Sequence, residues 1–347
     1  MAPIEFLERL RSLYFQGPRE DPPPLSSTAA AILSILATLG YVAPFYLSKS
    51  TRPSPTLSRD APSVIRSRIR IVTLTCILNT VGALVIAVKK ADTTISEAVR
   101  LLGYWPIDLG DVVRSLLLVM ILFSGPLFES GIADGDWKAW IRGQGLRETL
   151  QSWIGFRNFV AGPVTEEIIF RSVIISFHVL ARISPERIVA VSPLYFGIAH
   201  GHHFYEFRIT HPETPVSAAL FRSIFQFGYT TVFGWLAAFL YLRTGSLPAV
   251  ILVHSFCNWC GLPRLWGRLD ADVVAGPPLL RDKEDFSRTT IREVSGRSGI
   301  KWTVAYYVIL VCGAIGFFYL LWPLTKSPHA LAEFSQDSSE TTILSFR

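Results

Sequence analysis

The residues of this sequence best suited to chemistry are charged or amide side chains set inside apolar stretches. Thr165-Glu166-Glu167-Ile-Ile-Phe-Arg171 places three charges within six residues. At the centre of a spanning helix an ionisable group costs about 2.5–3.5 kcal/mol, so such groups persist where they pair or line a wet cavity. In a helix Glu167 and Arg171 stand one turn apart and can form an ion pair. Glu166 lies about 100° further around the axis and faces elsewhere. One carboxylate is thereby neutralised and the other is available for reaction. Further along, Phe196-Gly-Ile-Ala-His200-Gly-His202-His203 closes an apolar run, and His254-Ser-Phe-Cys-Asn258 sets a histidine and an asparagine on one helical face. These are parts for peptide hydrolysis. The glutamate can take a proton from water, and a histidine can hold that water or protonate the leaving amine. Histidine and asparagine together can donate to a tetrahedral oxyanion. HExxH is absent, and no serine, cysteine or aspartate pairing of comparable quality is present.

Each fragment alone has a plainer reading. Glu-Glu-x-x-x-Arg can staple helices, and an intramembrane histidine is more often an interhelical hydrogen bond than a catalyst. His202 and His203 lie just beyond the apolar run and suit interface or shell roles. Arg222 and Gln226, one turn apart, can bind a carboxylate or line a cavity, and lining is the reading favoured. What favours chemistry is co-occurrence, since three separate apolar runs each carry reactive groups.

The elements that must position these groups are membrane helices. Half of the 347 residues are hydrophobic and only 17% are charged, against about 25% charged in soluble proteins. Runs near bilayer length occur at Ala29–Leu47, Ile71–Val88, Val112–Phe128, Phe159–Ala181, Ile188–His200, Val216–Leu242, Leu247–Leu262 and Thr303–Trp322. The expectation is an all-α polytopic membrane protein of about eight helices around a polar cavity. It comprises one membrane domain, 29–325, with a motif core at 157–263 and flexible ends at 1–28 and 326–347. Gly131–Leu150 suits an amphipathic helix in the membrane interface. Ser48–Arg70 and Pro263–Lys301 read as irregular loops, and their lysines and arginines favour the cytosolic side. No cleavable signal is evident. The four cysteines fall in apolar runs and imply no disulfide framework. The net charge of +6 suits a protein beside anionic lipid, and no nucleic-acid motif is present.

The order and context of these motifs resemble the type II CaaX prenyl endopeptidases, within the wider group of membrane glutamate peptidases. The likeness runs from Arg157 to Pro263. It includes Arg157-Asn158, Gly162-Pro-x-Thr-Glu-Glu-x-x-Phe-Arg-Ser172, Phe196-Gly-x-Ala-His-x-His-His203, Phe225-Gln-Phe227, Arg243-Thr-Gly245 and His254-Ser-Phe-Cys-Asn258-x-x-Gly-Leu-Pro263. The resemblance implies that Glu166 activates water, that His200 shares that water, and that His254 and Asn258 stabilise the oxyanion. Glu167 and Arg171 support them, and neither cofactor nor metal is implied. It further implies removal of the C-terminal tripeptide from farnesylated or geranylgeranylated CaaX proteins, Ras-type small GTPases among them. The setting implied is the endoplasmic reticulum membrane, with the site open to the cytosol. Two rivals remain open. One is a zinc peptidase holding its metal with His200, His254 and a glutamate. The other is a transporter or scaffold whose charges line an ion path, against which the sequence shows no internal repeat.

Overall fold

A computed structural model describes residues 22–269 and 299–334. Among these, all regular secondary structure is helical. Helix α1 (Ser27–Val42) begins where the Ser26 hydroxyl accepts from the Ala29 amide, satisfying one of the donors a helix start leaves unpaired. Helix α2 runs over Pro62–Lys90 and α3 over Leu109–Leu122. The site region follows, then α4 (Pro185–Ala199), α5 (His202–Thr210), α6 (Val216–Thr244), α7 (Leu247–Cys260) and α8 (Ile300–Thr325).

Among the described residues, four single helices are long and apolar enough to cross a membrane: Ser27–Leu47, Pro62–Lys90, Val216–Thr244 and Ile300–Thr325. A fifth crossing is formed if Leu109–Leu122 and Ser124–Ala133, bent by 78°, count as one. The expected figure of eight is not confirmed among the described residues. The remaining runs form α4 with 15 residues, α7 with 14, and a helical path from Trp153 to Leu180 whose winding changes along its length. The physical reason lies in burial. Every residue from Ile169 to Ala181 is buried by protein, so that stretch is apolar because it meets other helices. Hydropathy alone does not separate a protein interior from lipid.

Two close approaches lock the helices around the site. A Cβ on Gly234 of α6 would lie 2.6 Å from the Pro193 Cβ of α4, and one on Gly197 would lie 2.6 Å from Thr231 Oγ1. Glycine at these positions lets the two helices touch backbone to side chain. At the end of α6, Gly245 adopts φ +59°, the left-handed conformation that closes helices. Ser246 then caps α7, which starts with Pro248 in its first turn. This tight reversal returns the chain so that His254 and Asn258 approach the Trp153–Leu180 path.

The loops and ends differ from expectation in detail. Pro62–Arg70 is helical, and the irregular loop is shorter, tied back by Arg68 Nε donating to the Thr51 carbonyl at 2.8 Å. Gly131–Leu150 contains two short helices, Trp137–Ile141 and Gln144–Gln151, with Trp137, Ile141, Leu146 and Leu150 exposed. Beyond Lys326 the chain stays packed as far as Phe334. Leu331, Ala332 and Phe334 are buried, and the Leu331 amide donates to the Leu242 carbonyl at 2.7 Å. Of the expected flexible ends, 1–28 and 326–347, residues 1–21 and 335–347 lie outside the described residues, as does most of Pro263–Lys301.

Candidate active site

Local winding sets the first half of the site. Pro163 has no amide hydrogen, and its ring opposes the carbonyl four residues back. The turn before it, Arg157–Ala161, accordingly widens to π winding. Gly162–Glu167 is α-helical, and Ile168–Val173 is π-wound again, a feature that gathers at functional sites. Thr165 anchors the segment. Its hydroxyl lies 3.1 Å from the Tyr41 hydroxyl of α1, and its carbonyl accepts from Cys76 Sγ of α2 at 3.5 Å.

With Thr165 held, the adjacent glutamates separate as the helix geometry predicts. Glu166 turns to a cavity of about 480 Å³ and keeps 21% of its side chain exposed, whereas the Glu167 side chain is fully buried. Glu167 Oε1 accepts from Arg171 Nη1 at 2.8 Å, the expected ion pair. The same oxygen lies 2.6 Å from His254 Nδ1, a contact the sequence does not disclose. The opposite ring nitrogen, His254 Nε2, lies 3.7 Å from Glu166 Oε2. His254 thus bridges the two carboxylates. The Arg171 guanidinium is covered by the rings of Phe196 (4.5 Å) and Phe233 (5.3 Å), and Phe233 also packs 4.5 Å from the His254 ring.

His200 follows the last residue of α4, on the cavity wall, with Nδ1 2.8 Å from the Phe196 carbonyl. In a neutral ring that nitrogen donates to the carbonyl, so Nε2 keeps its lone pair. Asn258 also lies on the wall, and its Nδ2 donates to the Asn158 carbonyl at 3.0 Å. Glu166, His200 and Asn258 are therefore brought to one cavity. His254 is 4% exposed and sits behind Glu166 instead of beside Asn258 on the wall. Gln226 lines the cavity as expected, while Arg222 stacks on Phe207 at 4.8 Å.

The ligand set required by the zinc rival is not gathered. Among the described residues, the three ligand atoms close enough to share one ion come from His202, His203 and Glu206, all within 4.8 Å of one another. That carboxylate is already engaged by Arg68 Nη2 at 2.6 Å and Arg59 Nη1 at 3.7 Å. Burial alone raises the Glu206 carboxyl. The His203 hydrogen bond and the two arginine charges outweigh it and hold the group well below the usual carboxylate range. Burial and the neighbouring His202 push the His203 imidazole well below its ordinary value.

The comparisons with known proteins bear on this geometry. A family model described as "Type II CAAX prenyl endopeptidase Rce1-like" matches residues 148–260, which span the site helices. A Schizosaccharomyces pombe protein named "Probable CAAX prenyl protease 2" is 33% identical over 294 residues, covering 85% of this chain and 93% of the relative. The human protein named "CAAX prenyl protease 2" is 33% identical over 241 residues, covering 66% and 70%. A Saccharomyces cerevisiae protein of that name is 28% identical over 328 residues, covering 87% and 97%. No solved structure matches. With these site helices inside the matched region and a relative aligned over almost its whole length, the chain belongs to the Rce1-like type II CAAX prenyl endopeptidases and is a membrane protease of that family.

Proposed function

We propose that the protein hydrolyses the peptide bond following the prenylated cysteine of CaaX proteins and releases the last three residues. One observation carries the reading: Glu166, His200 and Asn258 meet on one polar cavity inside an apolar bundle. Glu166 takes a proton from water, and His200 Nε2 accepts the second water proton as a hydrogen bond and so aims the oxygen at the carbonyl carbon. The developing oxyanion accepts from Asn258 Nδ2, which exchanges the Asn158 carbonyl for it. While Nδ1 donates to Glu167, His254 Nε2 carries a proton in the imidazolium form, the form that adds a second donor. Collapse of the tetrahedral intermediate breaks the C–N bond, and the Glu166 carboxyl returns its proton to the leaving amine. Glu167 and Arg171 hold His254 in position. None of these steps calls for a metal or cofactor.

The substrates are farnesylated or geranylgeranylated proteins of the Ras-type small GTPase kind, met in the endoplasmic reticulum membrane from the cytosolic side. Partition of the prenyl chain into lipid beside the protein stabilises the encounter by about 0.8 kcal/mol per buried CH₂. The test is purified protein with a farnesylated CaaX peptide and its unprenylated twin, with products identified by mass spectrometry. An intact tripeptide released from the prenylated peptide is expected, with activity surviving exhaustive chelation. Single-residue trimming, or equal cleavage of both peptides, overturns the substrate assignment. Stoichiometric zinc whose removal abolishes activity and whose return restores it transfers the chemistry to a metallopeptidase.

A further inference from the structure

Five charges at the cavity form a chain of alternating sign. Arg157 Nη1 lies 2.5 Å from Asp60 Oδ1, and that oxygen lies 3.7 Å from Arg59 Nε. Arg59 Nη1 lies 3.7 Å from Glu206 Oε2, and Glu206 Oε1 lies 2.6 Å from Arg68 Nη2. Among the described residues both ends of the chain are cations. Their placement is asymmetric as well. All three arginines line the cavity, whereas Asp60 and Glu206 do not, and the carboxylate on the wall is Glu166. The carboxylates act from behind and fix the guanidiniums in place. Arg68 is held further by the Thr51 carbonyl, and Arg157 by Asn158 Oδ1 at 2.9 Å. A guanidinium presents five N–H donors in a planar fork, so for Arg68 and Arg157 the backing contacts leave donors able to reach a ligand. The ligand matched by pre-oriented guanidinium forks on a cavity wall is a carboxylate.

We propose that Arg59, Arg68 and Arg157 receive the free α-carboxylate at the substrate's C terminus and thereby fix the cut three residues from the end. This inference rests on the peptidase reading above. The prenylated cysteine marks the bond that is cut, and the α-carboxylate is the group that distinguishes a terminus from an internal residue, so a site for it confines cleavage to a cysteine three residues from the end. Three extended residues reach up to about 10 Å, the longest span this reading asks between the arginines and the scissile bond.

The experiment compares a farnesylated CaaX peptide ending in a free acid with the same peptide ending in an amide. Both are measured on wild type, Arg59→Gln, Arg157→Gln and Arg59→Lys, with kcat and KM determined per folded enzyme. Wild type is expected to favour the acid by about 10- to 100-fold, chiefly in KM, the range of charged hydrogen bonds. The acid-to-amide ratio is expected to collapse toward one in the glutamine variants and to be partly retained in Arg59→Lys. A merely structural role would lower both substrates together and leave the ratio intact. If wild type releases the tripeptide from acid and amide equally well, the inference falls and the peptidase reading stands. A ratio that survives in both glutamine variants also overturns the assignment to these arginines. If wild type cuts neither peptide, the peptidase reading itself falls.

Discussion

Glu167→Gln is the perturbation that most directly tests how the site is held. It removes the anion while leaving both donors, Arg171 and His254, aimed at the same oxygen. Breaking a buried ion pair from one side costs about 3–5 kcal/mol. Glutamine is nearly isosteric, and its carbonyl still accepts one hydrogen bond, which puts the cost near the lower end, about 3 kcal/mol. The aromatic faces of Phe196 and Phe233 cover Arg171 before and after the change, so they do not alter the difference. A loss of that size lowers the melting temperature by roughly 4 °C in a chain of this length. Glu167→Gln/Arg171→Met removes both charges and should recover most of the lost stability, because no uncompensated cation remains. Activity should not recover with it. His254 Nδ1 lacks its anionic acceptor in both variants, and turnover per folded enzyme is expected to stay down by about 10²-fold or more. The assay is intrinsic tryptophan fluorescence melting of detergent-purified protein, paired with turnover of the farnesylated peptide. If Glu167→Gln melts within about 2 °C of wild type, or the double variant is no more stable than the single, the reasoning is refuted.

Glu166→Gln should melt like wild type and lose at least about 10²-fold in turnover; near-normal turnover would remove Glu166 as the base. Asn258→Ala should keep the fold, since the side chain is exposed, and lose roughly 10²–10³-fold in kcat; a change confined to KM counts against an oxyanion donor. Gly234→Val drives a side chain into Pro193 and should cost about 1–3 kcal/mol in a denaturation series, while an unchanged midpoint contradicts the close α4–α6 approach. His203 is held neutral by burial, so below about pH 6.5 the unfolded chain binds more protons than the folded one, and stability falls as pH drops toward the depressed folded value. His203→Gln should therefore flatten the fall in melting temperature between about pH 7 and pH 5; an unaltered slope sinks this account.

What the sequence discloses about the site is what lies within one or two helical turns. The Glu167–Arg171 pair is legible because spacing four stacks side chains on one face. The outward turn of Glu166 follows from the same geometry. The acceptor that fixes the His200 tautomer is also written locally, as the Phe196 carbonyl four residues before it. The His254–Glu167 contact crosses 87 positions, and Arg157–Asp60 crosses 97. Nothing in composition or periodicity ties such partners together. Arg59 and Asp60 lie in a loop without a repeating pattern, so only the loop's basic excess was readable. The number of spanning helices is illegible in the sequence for another reason. Residues Ile169–Ala181 are as apolar as a lipid-facing helix, yet their neighbours are protein. The packing of Ser327–Phe334 rests on a bond to the Leu242 carbonyl and on Ser327 donating to Asp111 at 2.7 Å. Backbone and hydroxyl contacts of that kind leave little trace in residue types.

The two π-wound segments, Arg157–Ala161 and Ile168–Val173, bear on how this stretch can change by insertion and deletion. A π turn holds one residue more than the α turn it replaces. Deleting a single residue from either segment would let it relax to α winding while the helix beyond keeps its phase, because the π turn already holds the extra residue. The change falls on the side chains of the widened turn itself. In the first segment those include Arg157, which holds Asp60, and Asn158, whose carbonyl accepts from Asn258. In the second they include Arg171, which holds Glu167. The same deletion in the α-wound Gly162–Glu167 would instead turn everything beyond it by about 100°, so gaps are expected to be tolerated far better in the two π segments than between them.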